Sequence, residues 1–207
     1  MEFTRRLRDG RHRLWLTLAR RGNEDAFRRL YGELYDPVAG YVAVRVGNRQ
    51  DAEDLTAAVF QKFLERLDGF DAARGSVMTW IMTMARTAVI DSHRRQAAFD
   101  QARGRSLPVE DLADVLAAEQ DDPLGAMIRQ EDLRAVRRRL QVQPAAVREM
   151  FALRFGEGLT VGEVARVMDL SEAAAKQRFA RTFRRIRQEL LAEETEPKGG
   201  PECMIAD

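Results

Sequence analysis

Basic and apolar residues alternate with helical spacing in SEAAAKQRFARTFRRIRQEL, residues 171–190. Six of these residues are basic and two are acidic. At 100° per residue, the apolar positions cluster on one face of a helix. They are Ala175, Phe179, Phe183, Ile186 and Leu190. We therefore expect one buried face, with most of the basic residues on the opposite face.

The side chains on the polar face fit nucleic acid. Glutamine can pair bidentately with adenine and arginine with guanine, which makes Gln177 and Arg181 candidates for base contacts. Arg184 and Arg185 lie one turn further on, where contacts to phosphate are expected. A solvated basic face that binds nothing is the alternative. The complete candidate set comprises Ser171, Ala174, Lys176, Gln177, Arg178, Arg181, Arg184 and Arg185.

A second capped helix precedes this one. In TVGEVARVM, Thr160 and Glu163 have the spacing of a capping box, in which each side chain bonds a free backbone N–H of the other residue. The turn DLS follows, and Ser171 is placed to cap the next helix. Two capped helices separated by about three residues indicate a helix-turn-helix, whose second helix enters the major groove of DNA.

The rest of the chain is also predicted to be helical, so the fold class is all-α. Asn23 caps a helix that Asp36–Pro37 should interrupt and restart, with the second piece ending at Gly47–Asn48. A helix beginning at DAEDL and a helix capped by Ser76 complete a domain over residues 23–96. Trp80 lies on the apolar face of the last helix, and we expect it to pack in the core. A second domain covers residues 124–191.

Charge divides the chain into segments. Seven basic and two acidic residues give residues 1–22 a net charge of +5, and we expect this N-terminal extension to be solvated. Residues 97–128 carry −5, residues 129–191 carry +6 and the tail, residues 192–207, carries −4. The stretch 97–123 is predicted to be a flexible acidic linker and the tail to be disordered. A basic block beside an acidic one favours a polyanionic partner for the former.

Other classes of function lack their signatures. No window approaches the roughly 18 consecutive apolar residues of a membrane span, and the arginine-rich start lacks a cleavage site, so we expect a cytoplasmic protein. The single cysteine, Cys203, excludes an internal disulfide or a zinc cluster. His12 and His93 are taken as surface residues. Without a catalytic triad, paired carboxylates, a P-loop or a metal constellation, neither an enzymatic activity nor a cofactor or metal is expected.

Four stretches resemble one bacterial family. NEDAFRRLYGELYDPVAGYV, DAEDLTAAVFQKFLERLDGFD and ARGSVMTWIMTMARTAVIDSHRR resemble, in order, region 2 of the extracytoplasmic-function (ECF, group IV) sigma factors of RNA polymerase. FALRFGEGLTVGEVARVMDLSEAAAKQRFARTFRRIRQEL resembles their region 4. The resemblance covers residues 23–96 and 129–191. It implies two small helical domains that bind core polymerase and read promoter DNA, with region 2 on the −10 element and region 4 on the −35 element.

The resemblance also implies roles for individual residues. Contacts to the clamp of the largest polymerase subunit are assigned to Asp54, Gln61, Lys62 and Glu65. Contacts to the −10 element, including a base flipped from the opened strand, are assigned to Phe70, Arg74, Ser76, Thr83, Arg86, Thr87, Arg94 and Arg95. Further implied partners are the polymerase flap and an anti-sigma factor, with the holoenzyme associated with the nucleoid. Membrane insertion is not expected.

Two alternatives remain open from the sequence. A stand-alone helix-turn-helix regulator would bind duplex DNA tightly without polymerase. A degenerate sigma factor would act only through protein interactions, and it is favoured by Ala57 and Ala58, where the family usually has a glutamine and an acidic residue. Retention of polymerase binding distinguishes the sigma-factor interpretation from both.

Overall fold

The computed structural model describes residues 2–102 and 135–195, and within these ranges the chain is helical, with no strand. The predicted all-α class is confirmed. Residues 103–123 of the acidic linker and residues 196–207 of the tail lie outside the described residues. The helices are α1 (Glu2–Arg20), α2 (Glu24–Ala43), α3 (Arg49–Glu65), α4 (Val77–Ala102), α5 (described over 135–141), α6 (Ala145–Phe151), α7 (Val161–Val167) and α8 (Glu172–Thr195).

Helices α2, α3 and α4 form the N-terminal bundle. Their inward faces meet around fully buried side chains, among them Leu34, Phe63 and Ile81. The predicted caps are present, since the Asn23 side chain accepts from the Ala26 N–H and Ser76 Oγ accepts from the Thr79 N–H. Two 3₁₀ turns, Leu67–Gly69 and Ala72–Arg74, connect α3 to α4. Trp80 packs against the core as expected, 5.2 Å from the Phe63 ring.

The predicted interruption at Asp36–Pro37 is wrong, because α2 runs continuously through Pro37. Proline removes one backbone donor and normally disfavours a helix interior by about 3 kcal/mol. Here Leu34 and Val38, on either side of it, are completely buried, and their packing outweighs the local cost. The helix ends at Ala43, and Asn48 caps α3 by accepting from the Asp51 N–H.

Helices α5 to α8 form the C-terminal unit. A one-turn π-helix, Ala152–Gly156, joins α6 to the loop before α7. Ala175, Phe179 and Ile186 of α8 are buried against this unit as predicted. Phe183 was also expected to be buried, but it is 49% exposed. It lies at the edge of the apolar face, and its ring contacts Phe151 at a centroid distance of 5.1 Å while the other side meets solvent.

The basic N-terminal segment is a packed helix, so the expectation of a solvated extension is wrong. Leu16 of α1 is 1% exposed and belongs to the core that the two helical units share. His12, taken from sequence as a surface residue, is fully buried, with its Nε2 2.7 Å from Glu33 Oε2. Burial lowers the pKa of His12 although Glu33 opposes this effect. Thus α1 is part of the fold.

Candidate DNA-binding and polymerase-binding surfaces

The helix-turn-helix is built from α7, a short turn and α8. Thr160 and Glu163 form the predicted capping box, and Ser171 Oγ accepts from the Ala174 N–H at 3.1 Å. In the turn, Asp169 has a φ of 56°, a left-handed conformation that aspartate tolerates better than most residues. The sequence signals for this motif were local, and the structure contains each of them.

The outward face of α8 carries most of the candidates for −35 contacts. Ala174 is half-buried, whereas Ser171, Lys176, Gln177, Arg178, Arg181, Arg184 and Arg185 are exposed. Lys176 pairs with Glu172 at 2.6 Å and Arg185 with Glu189 at 2.9 Å, both within the helix. Gln177 and Arg181 make no side-chain hydrogen bond or ion pair to the described residues. Their use as base contacts stays a prediction.

The candidates for −10 contacts lie on the loop before α4 and along α4. Ser76, Thr83, Thr87 and Arg94 follow helical spacing, and Arg86 lies beside them. Arg74, Thr87, Arg94 and Arg95 are exposed, while Phe70, Thr83 and Arg86 are half-buried. Phe70 stacks near Trp80 at 5.5 Å. The fold therefore brings this set together along the loop before α4 and along α4 itself, a region called the −10 surface.

Part of that surface is covered by the C-terminal unit. Ser76 is only 3% exposed, and its N–H donates to Glu163 Oε1 of α7 at 3.3 Å. The Arg86 guanidinium lies 3.3 Å from Glu149 Oε1 of α6, and the Tyr41 hydroxyl donates to the same carboxylate. Burial, together with the Glu149 charge, raises the pKa of Tyr41, which therefore stays a neutral donor.

Gly75 allows the close approach of the two units at this point. Its φ of +139° is a conformation that favours glycine. A Cβ atom built there would lie 2.5 Å from Nη1 of Arg166 in α7. Any larger residue at position 75 would strain the loop and displace the Arg166 side chain.

Glu163 connects three parts of the molecule. Its carboxylate accepts from the Thr160 N–H and hydroxyl, both at 2.9 Å, from the Ser76 N–H and from Arg5 of α1 at 2.8 Å. Burial alone would raise its pKa, but the hydrogen bonds from Thr160, Ser76 and Thr79 outweigh this effect and lower the pKa to about 2. Glu163 is therefore a permanent anion at neutral pH.

The candidates for polymerase contact lie on the outer face of α3. Asp54, Gln61 and Glu65 are exposed and Lys62 is half-buried. Asp54, Ala58, Gln61 and Glu65 follow the spacing of one helical stripe, opposite the buried Val59 and Phe63. Gln61 donates to Glu65 at 3.0 Å, so these two side chains are held together. This surface is free of the C-terminal unit, and its role stays a prediction.

Sequence reasoning missed the contacts that α1 makes. Arg5 and Arg8 reach the C-terminal unit, and Arg20 donates to the carbonyls of Leu67 and Phe70 at 2.8 and 3.0 Å. The available signal was Leu16, Trp15 and His12 on one helical face, which indicated an apolar side that needs a partner. Nothing in the sequence identified the acceptors.

Comparison with known proteins accounts for both units. The family described as Sigma-70 region 2 matches residues 30–99, and the family described as Sigma-70, region 4 matches residues 140–188. The RNA polymerase sigma factor CarQ of Myxococcus xanthus is 31% identical over 174 residues, covering 84% of this chain and 94% of CarQ. The chain belongs to the ECF RNA polymerase sigma factors.

Further relatives agree with this assignment. The ECF RNA polymerase sigma factor BldN of Streptomyces coelicolor is 36% identical over 173 residues, which cover 81% of this chain but only 62% of BldN. The sigma factor RpoE, solved in complex with the anti-sigma factor NepR from Bartonella quintana, shares the fold with a TM-score of 0.57 at 19% identity, over 80% of this chain and 96% of that one. CnrH, solved in complex with the cytosolic domain of CnrY, gives 0.54 at 20% identity, over 88% and 98%.

The described residues of this sigma factor contain neither a metal-binding cluster nor a membrane-spanning helix. Among residues 2–102 and 135–195, no group of three or more histidine, cysteine or acidic side chains is arranged to hold a metal ion. The helices in these ranges are too short or too polar to cross a bilayer.

Replacing Glu163 with glutamine tests the importance of its charge. A carboxyl group whose pKa is depressed on folding stabilises the fold above its unfolded pKa, near 4.5, and this stabilisation disappears as the pH falls towards about 2. We expect the Glu163→Gln variant to lose on the order of 3 kcal/mol in free energy of unfolding at pH 7. Urea titrations followed by circular dichroism should show the loss shrinking between pH 4.5 and 2.

Glu172→Gln is the matched control, because Glu172 is exposed and its ion pair with Lys176 lies within α8. This variant should resemble the parent protein at each pH. If Glu163→Gln lowers the free energy of unfolding by the same amount at pH 7 and near pH 2, the shape of the side chain and not its charge accounts for the stabilisation.

Proposed function

We propose that this protein is an alternative sigma factor that binds core RNA polymerase and directs it to specific promoters by reading −35 and −10 elements. The observation that carries the proposal is the presence in one chain of both sigma regions. A stand-alone helix-turn-helix regulator has no use for region 2 and its exposed α3 stripe.

Region 4 supplies the anchor on duplex DNA. Exposed Gln177 and Arg181 near the N-terminal half of α8 are placed to read base edges in the major groove, while Arg184 and Arg185 follow the phosphates. The helix-turn-helix presents this face as a rigid unit, because Ala175, Phe179 and Ile186 fix the opposite face in the core.

Region 2 supplies strand capture. Bases extruded from the opened −10 strand are held by stacking and hydrogen bonding, which offsets the free energy lost on unpairing. Exposed Arg74, in the 3₁₀ turn before α4, and exposed Arg94 and Arg95, on α4, provide charge for the strand backbone, and exposed Thr87 lies on α4 as well. Melting is then a binding event, and the protein needs no catalytic chemistry of its own.

The proposed protein partners follow from the family. The α3 stripe is the proposed contact with the clamp of the largest subunit, and region 4 the proposed contact with the flap. An anti-sigma factor is proposed as regulator, since RpoE was solved with the anti-sigma factor NepR. CnrH was solved with the cytosolic domain of CnrY. Transcription places the protein in the cytoplasm, on the nucleoid when it is part of the holoenzyme.

Reconstituted transcription tests the function directly. Core RNA polymerase purified from the source organism, supplied with this protein, should give run-off transcripts from a subset of genomic fragments, and core polymerase alone should not. Sequencing the fragments that are bound and transcribed would define the −35 and −10 elements. No binding to core polymerase, or no promoter-dependent transcript from any fragment, would contradict the proposal.

Replacing Asp54 with alanine tests the α3 stripe. Loss of this exposed carboxylate should weaken binding to core polymerase about tenfold, or ~1.4 kcal/mol, with little change in the thermal unfolding of the free protein. Fluorescence anisotropy of the labelled protein titrated with core polymerase measures the affinity. Asp68→Ala is the control, since the Asp68 side chain is 96% exposed on a different element. Unchanged affinity of the Asp54 variant would remove this residue from the interface.

Replacing Arg181 with alanine tests base reading. A bidentate contact to a base contributes about 1–3 kcal/mol to discrimination, so Arg181→Ala should reduce transcription about tenfold or more at promoters with the native −35 sequence and less where that base pair is changed. Arg184→Ala should instead reduce transcription to a similar extent at all promoters. Run-off assays on paired templates give both ratios. Equal loss at every promoter in the Arg181 variant would make Arg181 a phosphate contact.

A further inference from the structure

The C-terminal half of α1 is anchored on region 2. Leu16 is buried in the core, and His12 beside it bonds Glu33 of α2. At the end of the helix, Arg20 donates to the backbone carbonyls of Leu67 and Phe70, in the loop that leads to α4. These contacts fix the direction of α1 relative to the −10 surface.

The N-terminal half of the same helix reaches region 4. Arg5 Nη2 lies 2.8 Å from Glu163 Oε2, and Arg8 Nη2 donates to the Glu157 carbonyl at 2.9 Å. Asp9 Oδ2 lies 3.4 Å from the same Arg5 Nη2. The Arg8 guanidinium also lies 3.5 Å from a Cβ position built on Gly158, so it covers the loop before α7. One helix therefore bridges the two units.

The bridge holds region 4 over residues assigned to the −10 element. Ser76 is buried beneath Glu163, and Arg86 is paired with Glu149. The outward face of α8 and the α3 stripe remain exposed in the same arrangement. Only one of the three proposed binding surfaces is covered.

We propose that α1 is an intramolecular strap that holds the polymerase-free chain closed, with region 4 docked on the −10 surface through Arg5 and Arg8. The closed form must open before the −10 strand is captured, because Ser76 and Arg86 cannot bind region 4 and DNA together. The assignment of the covered surface to DNA rests on the proposed function, whereas the closed form itself does not.

The strap can be weakened without removing the core of either unit. Arg5→Ala combined with Arg8→Ala removes two charge-assisted contacts and leaves Glu163 bonded to Thr160 and Ser76. We expect the open fraction to rise about tenfold, since the closed form loses contacts that the open form lacks. Arg21→Ala combined with Arg29→Ala removes the same charge from exposed positions outside these contacts and serves as the control.

Electron–electron distance measurements test the closed form. Cys203→Ser removes the native thiol, and nitroxide labels are attached through Ala58→Cys on α3 and Ala180→Cys on α8, which are exposed. The parent and control proteins should give one narrow distance distribution, and the Arg5/Arg8 variant an increased population at other distances. The same distance distribution in all three proteins would overturn the strap.

Hydrogen exchange of single amides separates opening from unfolding. The Ser76 N–H, which donates to Glu163, should exchange about tenfold faster in the Arg5/Arg8 variant, while the Leu34 N–H in the core of region 2 should keep its rate. Equal acceleration of both amides would mean general destabilisation and would also overturn the strap.

A kinetic measurement with core polymerase tests the consequence. At limiting core polymerase, the Arg5/Arg8 variant should form a promoter-competent holoenzyme about tenfold faster than the control, because a larger fraction of it is open. An unchanged or lower rate would overturn the inhibitory role. If neither protein forms holoenzyme, the proposed function fails. That failure is separate from failure of the strap, because the distance and exchange measurements contain neither polymerase nor DNA.

Discussion

The arrangement of this molecule depends on one buried carboxylate. Removing a carboxylate from water costs several kcal/mol unless donors replace the lost hydration. In this arrangement Thr160, the start of α4 and Arg5 of α1 together supply those donors to Glu163. The position of the helix-turn-helix relative to the −10 surface is therefore coupled to the N-terminal helix, although the two are more than 150 residues apart in sequence.

Because of this coupling, one candidate surface is partly covered while the other two are exposed. The α3 stripe and the outer face of α8 are exposed, and the opposite faces of both helices are buried in the core. The −10 surface instead faces acceptors on α6 and α7, and its arginine and its N-terminal cap are already bonded to them. The surfaces proposed for polymerase and duplex DNA are thus exposed in this arrangement, whereas the surface proposed for the single strand is partly covered.

Features set by neighbouring residues were predictable from the sequence. The caps at Asn23, Ser76, Thr160 and Ser171, the apolar faces and the helix-turn-helix all follow from patterns within a few turns. The failures share a tertiary cause. Pro37 stays helical because its neighbours Leu34 and Val38 pack in the core, and His12 is buried because α1 packs against α2. The burial of Ser76 could not be inferred either, since its acceptor is 87 residues away.

Net charge by segment illustrates the same limit. The +5 of residues 1–22 suggested a segment available to a polyanion or to solvent, but Arg5, Arg8 and Arg20 donate to acceptors within the protein. In α8, by contrast, Arg178, Arg181 and Arg184 are exposed and make no hydrogen bond or ion pair with the described residues. A counterion-release contribution to DNA binding comes only from charges that are not already paired. For duplex DNA, α8 is therefore the proposed source of electrostatic attraction, whereas Arg5, Arg8 and Arg20 of α1 contribute to the internal geometry.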